Sequence, residues 1–187
     1  MKKLAKYLGI TATALALTVF AAAEDTPLIP ANAELEQVLS TKTAKQGDTI
    51  TAKLSQTVHL NGTTLPRNTL LVGHIDSVQP SENKGVSKVV LTFDQAKLEN
   101  GQNVAVKSTL VGVYPAGTTL TLPNVSPELE VDQEPSGSHG FGLKSSVQST
   151  NSGTLSANGK DVHITKGMEL QFIVSPASGA ASSSTGN

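Results

Sequence analysis

Four carboxylates at alternate positions, Glu128, Glu130, Asp132 and Glu134, are the closest the sequence comes to a set of metal ligands. Hard cations such as calcium take several oxygen ligands, and alternate residues of an extended strand point to one side. The same geometry holds neighbouring carboxylates about 7 Å apart. No Asx-Gly loop bends them inward, the alternating pattern of an EF-hand is absent, and an acidic run among prolines is ordinarily solvated. The expectation is no metal, with calcium at these four residues as the alternative.

The histidines His59, His74, His139 and His163 stand singly, with no H-x-H or H-x-x-x-H pair to hold a transition metal. His59 falls on the polar side of its segment and His74 inside an apolar one. His139, in Ser138-His139-Gly140-Phe141-Gly142, has the most loop-like setting. It is the one histidine to test for function, together with Tyr114 and Phe141, which flank the acidic stretch and would edge a shallow ligand groove. The competing reading keeps Phe93 and Phe172 in the core and uses the other two rings to cover its margins. Serine nucleophiles require a strained elbow, and no G-x-S-x-G occurs. Gly137 to Gly142 neither follows a clear strand nor opens a helix, so phosphate cradling lacks its helix dipole, and no Walker-type Gly-Lys-Ser/Thr is present. With no cysteine there is no thiolate chemistry and no disulfide. The sequence therefore points away from an enzyme and implies no cofactor.

Residues of these kinds need a frame, and 187 residues suffice for one domain. Lys2, Lys3 and Lys6 precede the apolar run Leu8 to Phe20 and then Ala21-Ala22-Ala23, the pattern of a secretory signal over residues 1–23. Cleavage after Ala23 leaves a chain starting at Glu24, whereas Tyr7 to Ala23 would marginally serve as an uncleaved anchor. No cysteine follows the apolar run, so a lipid-modified terminus is not available. Losing three lysines leaves 11 basic against 15 acidic residues, a net charge of −4, which argues against a nucleic-acid partner. An exported domain without disulfides must rest on its hydrophobic core. Only four aromatics remain after residue 23, so Val, Ile, Leu and Ala must build that core, a composition suited to pleated sheets.

From Thr49 to Leu60, five of six even positions are apolar and none of the six odd ones, which predicts one long antiparallel strand with a wet face. Thr69 to Val78 is apolar on both faces and should lie deeper, with a bulge near Gly73. A turn over Pro80 to Gly85, strands around Val89 to Phe93 and Val104 to Tyr114, and a closing strand with Met168, Leu170, Phe172 and Val174 on one face follow. Ala33 to Thr41 fits a helical turn or a strand; the missing cap and the connection over Lys42 to Asp48 favour the strand. Asn61-Gly62, Asn100-Gly101 and Asn158-Gly159 read as type I′ hairpin turns. Residues 115–140, broken by four prolines, read as a surface loop or a short edge ribbon, and 175–187 as a disordered tail behind a single domain over 24–174.

The run Thr49-Ile50-Thr51-Ala52-Lys53-Leu54, then Gly62, then Leu65-Pro66-Arg67-Asn68-Thr69-Leu70-Leu71-Val72-Gly73, resembles the barrel domain of the TrbI/VirB-type channel proteins of type IV secretion. In that family a strand and a turn lead to a segment like I-P-x-G-x-x-L-x-G. Leu91-Thr92-Phe93, Leu98-Glu99-Asn100-Gly101 and Ile164-Thr165-Lys166-Gly167 with Leu170 to Val174 look like its later strands in the same order. The resemblance spans roughly 29–174 through short motifs, and the chain is similar as well to small secreted bacterial proteins built of this barrel alone. Asn68 stands where the family has Gly, a change that Asn tolerates because it adopts positive φ. The family's proline-rich arm has no counterpart, and 115–140 has no apolar helical run like its membrane-crossing hairpin. The resemblance thus implies the barrel without the channel.

The combined expectation is an all-β protein, a mainly antiparallel small barrel or sandwich behind a signal peptide. Its expected role is a non-catalytic exported envelope module, periplasmic, associated with the outer envelope or secreted, with no membrane span after cleavage. It would contact an envelope protein or cell-surface partner, one route being pairing along an exposed strand edge. The alternative is a soluble binding protein for a glycan or small ligand, and an enzyme comes third.

Overall fold

The computed structural model describes residues 27–60, 62–118, 125–135 and 140–177. Among them are thirteen strands and no helix: β1 (Ile29–Leu35), β2 (Leu39–Ser40), β3 (Thr49–Leu54), β4 (Val58–Leu60), β5 (Thr63–Leu65), β6 (Leu70–Gln79), β7 (Val86–Lys97), β8 (Asn103–Tyr114), β9 (Glu130–Gln133), β10 (Gly142–Ser146), β11 (Gly153–Asn158), β12 (His163–Ile164) and β13 (Glu169–Pro176). The expected signal segment lies outside the described residues. The described residues contain no helix long and apolar enough to cross a membrane.

The main sheet runs β6-β3-β1-β13-β8-β7 and closes through a β6–β7 pairing into a six-stranded antiparallel barrel. Closure decides between the two expected architectures, because it leaves the barrel strands without free edges. Inside, large residues face small ones. Phe172 lies opposite Ala31, Leu170 opposite Ala33, and Phe93 opposite Gly73. Phe93 and Phe172 meet edge to face with ring centroids 5.1 Å apart, both fully buried. Around them pack Leu35, Ile50, Leu54, Leu71, Leu91 and Leu110. The aliphatic core expected from composition is therefore the core observed, with two rings at its centre.

Gly73 shows how tight this interior is. A Cβ there would collide with the Thr92 carbonyl and the Phe93 Cα across the β6–β7 ladder. The register slips between Val72 and Gly73, where a bulge was expected, and again between Ile75 and Ser77. Only one face of β6 is buried, through Leu71, Gly73 and Ile75; Leu70 and Val72 are half-exposed, so the strand is less deep than its composition suggested.

Three expectations need correction. The segment Thr49 to Leu60 is two strands: the facing segment turns over Pro66 to Thr69, where Thr69 N–H donates to Pro66 O, and β3 with β6 and β4 with β5 keep one register on either side of that interruption. The alternation nevertheless holds across the break: Ile50, Ala52, Leu54, Val58 and Leu60 are all buried. Of the Asn-Gly pairs, Asn100-Gly101 joins β7 to β8, but only Gly101 has positive φ (83°), the type I turn plus left-handed residue of a three-residue loop. Asn158-Gly159 joins no hairpin, since β12 pairs with β2 instead of β11. The closing strand also outlasts the expected domain end: Ser175 and Pro176 pair with Lys107 and Val106, so these two residues belong to the barrel. Residues 178–187 lie outside the described part. Asn68 adopts φ 72°, a left-handed conformation that Asn tolerates.

Candidate functional site

The sheet does not stop at closure. β7 pairs with β6 along one side and divides its other side, Val86–Leu91 to β11 and Gln95–Lys97 to β8. From β11 the sheet continues through β10 to β9, a three-stranded flap. Its inner face sets Leu143, Leu155 and the half-buried Val131 onto the barrel core. Its outer face is polar.

At the fork, where β8 leaves β7, Ser152 replaces the missing strand. Its N–H donates to Leu91 O at 2.8 Å and its carbonyl accepts from Leu110 N–H at 2.7 Å. Its hydroxyl accepts from Phe93 N–H at 2.8 Å. Ser108 Oγ donates to Phe93 O at 2.7 Å and lies 2.9 Å from Ser152 Oγ. Both serines are buried, so each hydroxyl satisfies a backbone group that no strand can reach.

The flap ends at β9, which among the described residues pairs with β10 alone. Antiparallel pairs alternate between hydrogen-bonded and non-bonded residues, so one known bond fixes the rest. Val147 N–H donates to Leu129 O, two residues beyond the Ser145–Val131 pair. The bonded pairs are therefore Val131 with Ser145 and Gln133 with Leu143. Gly159 N–H donating to Gly85 O fixes the β11–β7 phase and leads to the same assignment through β10. Glu130 and Asp132 consequently direct their backbone N–H and C=O groups outward, away from β10. Their side chains share the flap's polar face with Lys144, Ser146 and Thr154, where a shallow cleft of about 310 Å³ lies.

The four alternating carboxylates thus fall in and around an edge ribbon, one of the two forms expected of this segment. All four are exposed. Lys144 Nζ lies 3.1 Å from Asp132 Oδ2. Among the described residues no three His, Cys, Asp or Glu side chains gather as metal ligands, so the calcium arrangement is not assembled. Tyr114 ends β8 opposite Glu169, half-buried, with its ring folded over Gly112. Phe141 precedes β10 and packs half-buried against the core. His139 lies outside the described residues. Neither the flap cleft nor a second one of about 280 Å³, beside the exposed Val38, is lined by Tyr114 or Phe141.

The remaining histidines have surface roles. His59 Nδ1 sits 3.2 Å from Thr64 Oγ1. His74 Nε2 lies 3.0 Å from Asp76 Oδ1, and Thr92 donates to the other carboxylate oxygen at 2.7 Å, a side-chain ladder on the barrel's outer wall. His163 is exposed on β12.

Sequence reasoning missed the serine fork, the strands β10 and β11, and a latch around Asp161. Asp161 Oδ1 accepts from Ser81 N–H at 2.8 Å and from Thr41 Oγ1 at 3.0 Å. Val162 N–H then donates to both Thr41 Oγ1 and Ser87 Oγ. This joins β2, the β6–β7 turn and the start of β7. The Ser81 amide, followed by the Thr41 hydroxyl, holds the Asp161 carboxyl below its ordinary range. Lys53, 2.9 Å from Glu36, lowers the Glu36 carboxyl in the same way, with Lys166 adding to it, and is itself raised by that contact. These contacts hold the barrel together. The outer edge of β9, without a partner among the described residues, faces away from them. Comparison of the chain with protein-family models, with curated proteins and with solved structures finds no match.

Proposed function

We propose that this chain is a non-catalytic exported envelope module whose work is to hold another protein. The observation that carries the reading is the contrast between a barrel interior filled by Phe93, Phe172 and their aliphatic neighbours and a flap whose last strand has one edge without a partner among the described residues. A filled interior offers no chamber for a substrate. A solvated strand edge is a ready template for pairing. The cleft beside that edge has no aromatic ring among its lining residues, which weighs against a glycan platform. Export rests on the basic, apolar and small-residue order of residues 1–23.

The test is photocrosslinking in the native envelope. A photoreactive side chain at Gln133, exposed on β9, should yield one discrete adduct heavier than the chain, with the attached protein identified by mass spectrometry. The same group at Lys97, exposed at the far end of β7 from the flap, should yield none. Recovery of only the monomer from both positions would overturn the reading.

A further inference from the structure

Resting on that reading, we infer that β9 accepts an extended strand from a different protein, one with basic residues at alternate positions, and rejects a second copy of itself. The backbone supplies the docking element. Glu130 and Asp132 aim N–H and C=O groups outward, and all of β9 except the half-exposed Val131 is exposed. Two residues in this phase offer a donor and an acceptor each, the unit of an antiparallel ladder.

The side chains supply the selection. Residues directly opposite on neighbouring strands bring their Cβ atoms within about 5.5 Å, close enough for charges to interact. A strand added to β9 would set alternate side chains against Glu130 and Asp132 on the polar face. The intervening side chains would lie on the face of Val131, which packs toward the core. Lys144 already lies beside Asp132, so the face retains a net negative charge from Glu130, with Glu128 and Glu134 beyond each end of the strand. The complementary strand alternates lysine or arginine with apolar residues. Two copies of β9 related by a two-fold axis centred on Val131 would instead set Glu130 against Asp132 twice, like charge against like. The charges that suppress self-pairing are therefore the ones that choose the partner.

The test uses fluorescently labelled peptides of alternating lysine and valine, and of alternating glutamate and valine, titrated into the purified exported chain and followed by anisotropy. The lysine peptide should bind at least about tenfold more tightly, since two cross-strand pairs change from attraction to repulsion. Its affinity should fall as salt rises, because the pairs are exposed. Combining Glu130→Lys with Asp132→Lys should reverse the order of the two peptides. Asp132→Pro, which removes an outward donor, should weaken both. Equal affinity for the two peptides, or an order unmoved by the charge reversal, would overturn the inference. So would a dimer in sedimentation that Asp132→Pro abolishes. If the β9 crosslink forms in the envelope while the lysine peptide fails to bind, the charge rule is overturned and the interaction reading stands. If the crosslink is also absent, both are overturned.

Discussion

Ser152 and Asp161 are single residues on which several elements depend, and neither was visible in the pattern of the sequence. A serine in Asn151-Ser152-Gly153 reads as a turn residue. Its value comes from Ser108 and Phe93, 44 and 59 residues away in the chain, which meet it only after folding. Ser152→Ala would leave the Phe93 N–H without its acceptor in a buried site, a loss of about 1–3 kcal/mol. A urea melt should show it as a lower midpoint with an unchanged slope, and a midpoint equal to the parent's would contradict the role of the fork. Asp161 makes a pH prediction. Its folded carboxyl is held below the ordinary range by the Ser81 amide and the Thr41 hydroxyl, so the stabilisation is complete above the unfolded value. It fades as pH falls through the folded value. The parent should therefore outlast Asp161→Asn in thermal melts near pH 7, with the gap closing below about pH 4. A gap that stays constant or widens in acid would contradict the assignment.

Elements were legible where burial is one-sided and alternates. The faces of β3 and β4 could be read from Ile50, Ala52, Leu54, Val58 and Leu60, whereas β13 is buried on both faces from Leu170 to Ser175. The break between β3 and β4 could not, because it lies across from the turn over Pro66 to Thr69 in the facing segment and leaves the alternation intact. β10 and β11 escaped notice since Gly142, Lys144, Ser145, Ser146, Thr154 and Ser156 give them a weak apolar signal. Their burial is conferred by β7 and the barrel. Asn-Gly marks a turn without saying which strands it joins, hence the third pair's departure from a hairpin. At this scale the phase of β9 has a sharp consequence. Gln133→Pro deletes a donor that points into the β10 ladder and should destabilise the flap by about 1–3 kcal/mol. Asp132→Pro deletes one that points outward and should cost far less. Chemical denaturation of the two variants, monitored by circular dichroism, checks the order; equal losses would mean the phase is reversed.

For the whole molecule, closure and the flap are complementary outcomes of one sheet. Six strands satisfy one another around an aliphatic core, and the three that cannot enter the ring are carried on β7 until the sheet runs out at an acidic edge. The acidic run was legible as an edge ribbon because prolines bracket it and its charges alternate. Its use as a ligand cluster was not assembled, since β9 is extended and Lys144 lies against Asp132. That β10 is the strand it borders is a property of the completed topology, and the sequence pattern held no sign of it. Amide hydrogen exchange tests that topology and its proposed use together. In the protein alone, Glu130 and Asp132 should exchange rapidly while Val131 and Gln133 are protected by β10. Adding the alternating lysine and valine peptide should slow exchange at Glu130 and Asp132 and leave Val131 and Gln133 as they were. Binding of that peptide with Glu130 and Asp132 still exchanging at their free rates would contradict the account.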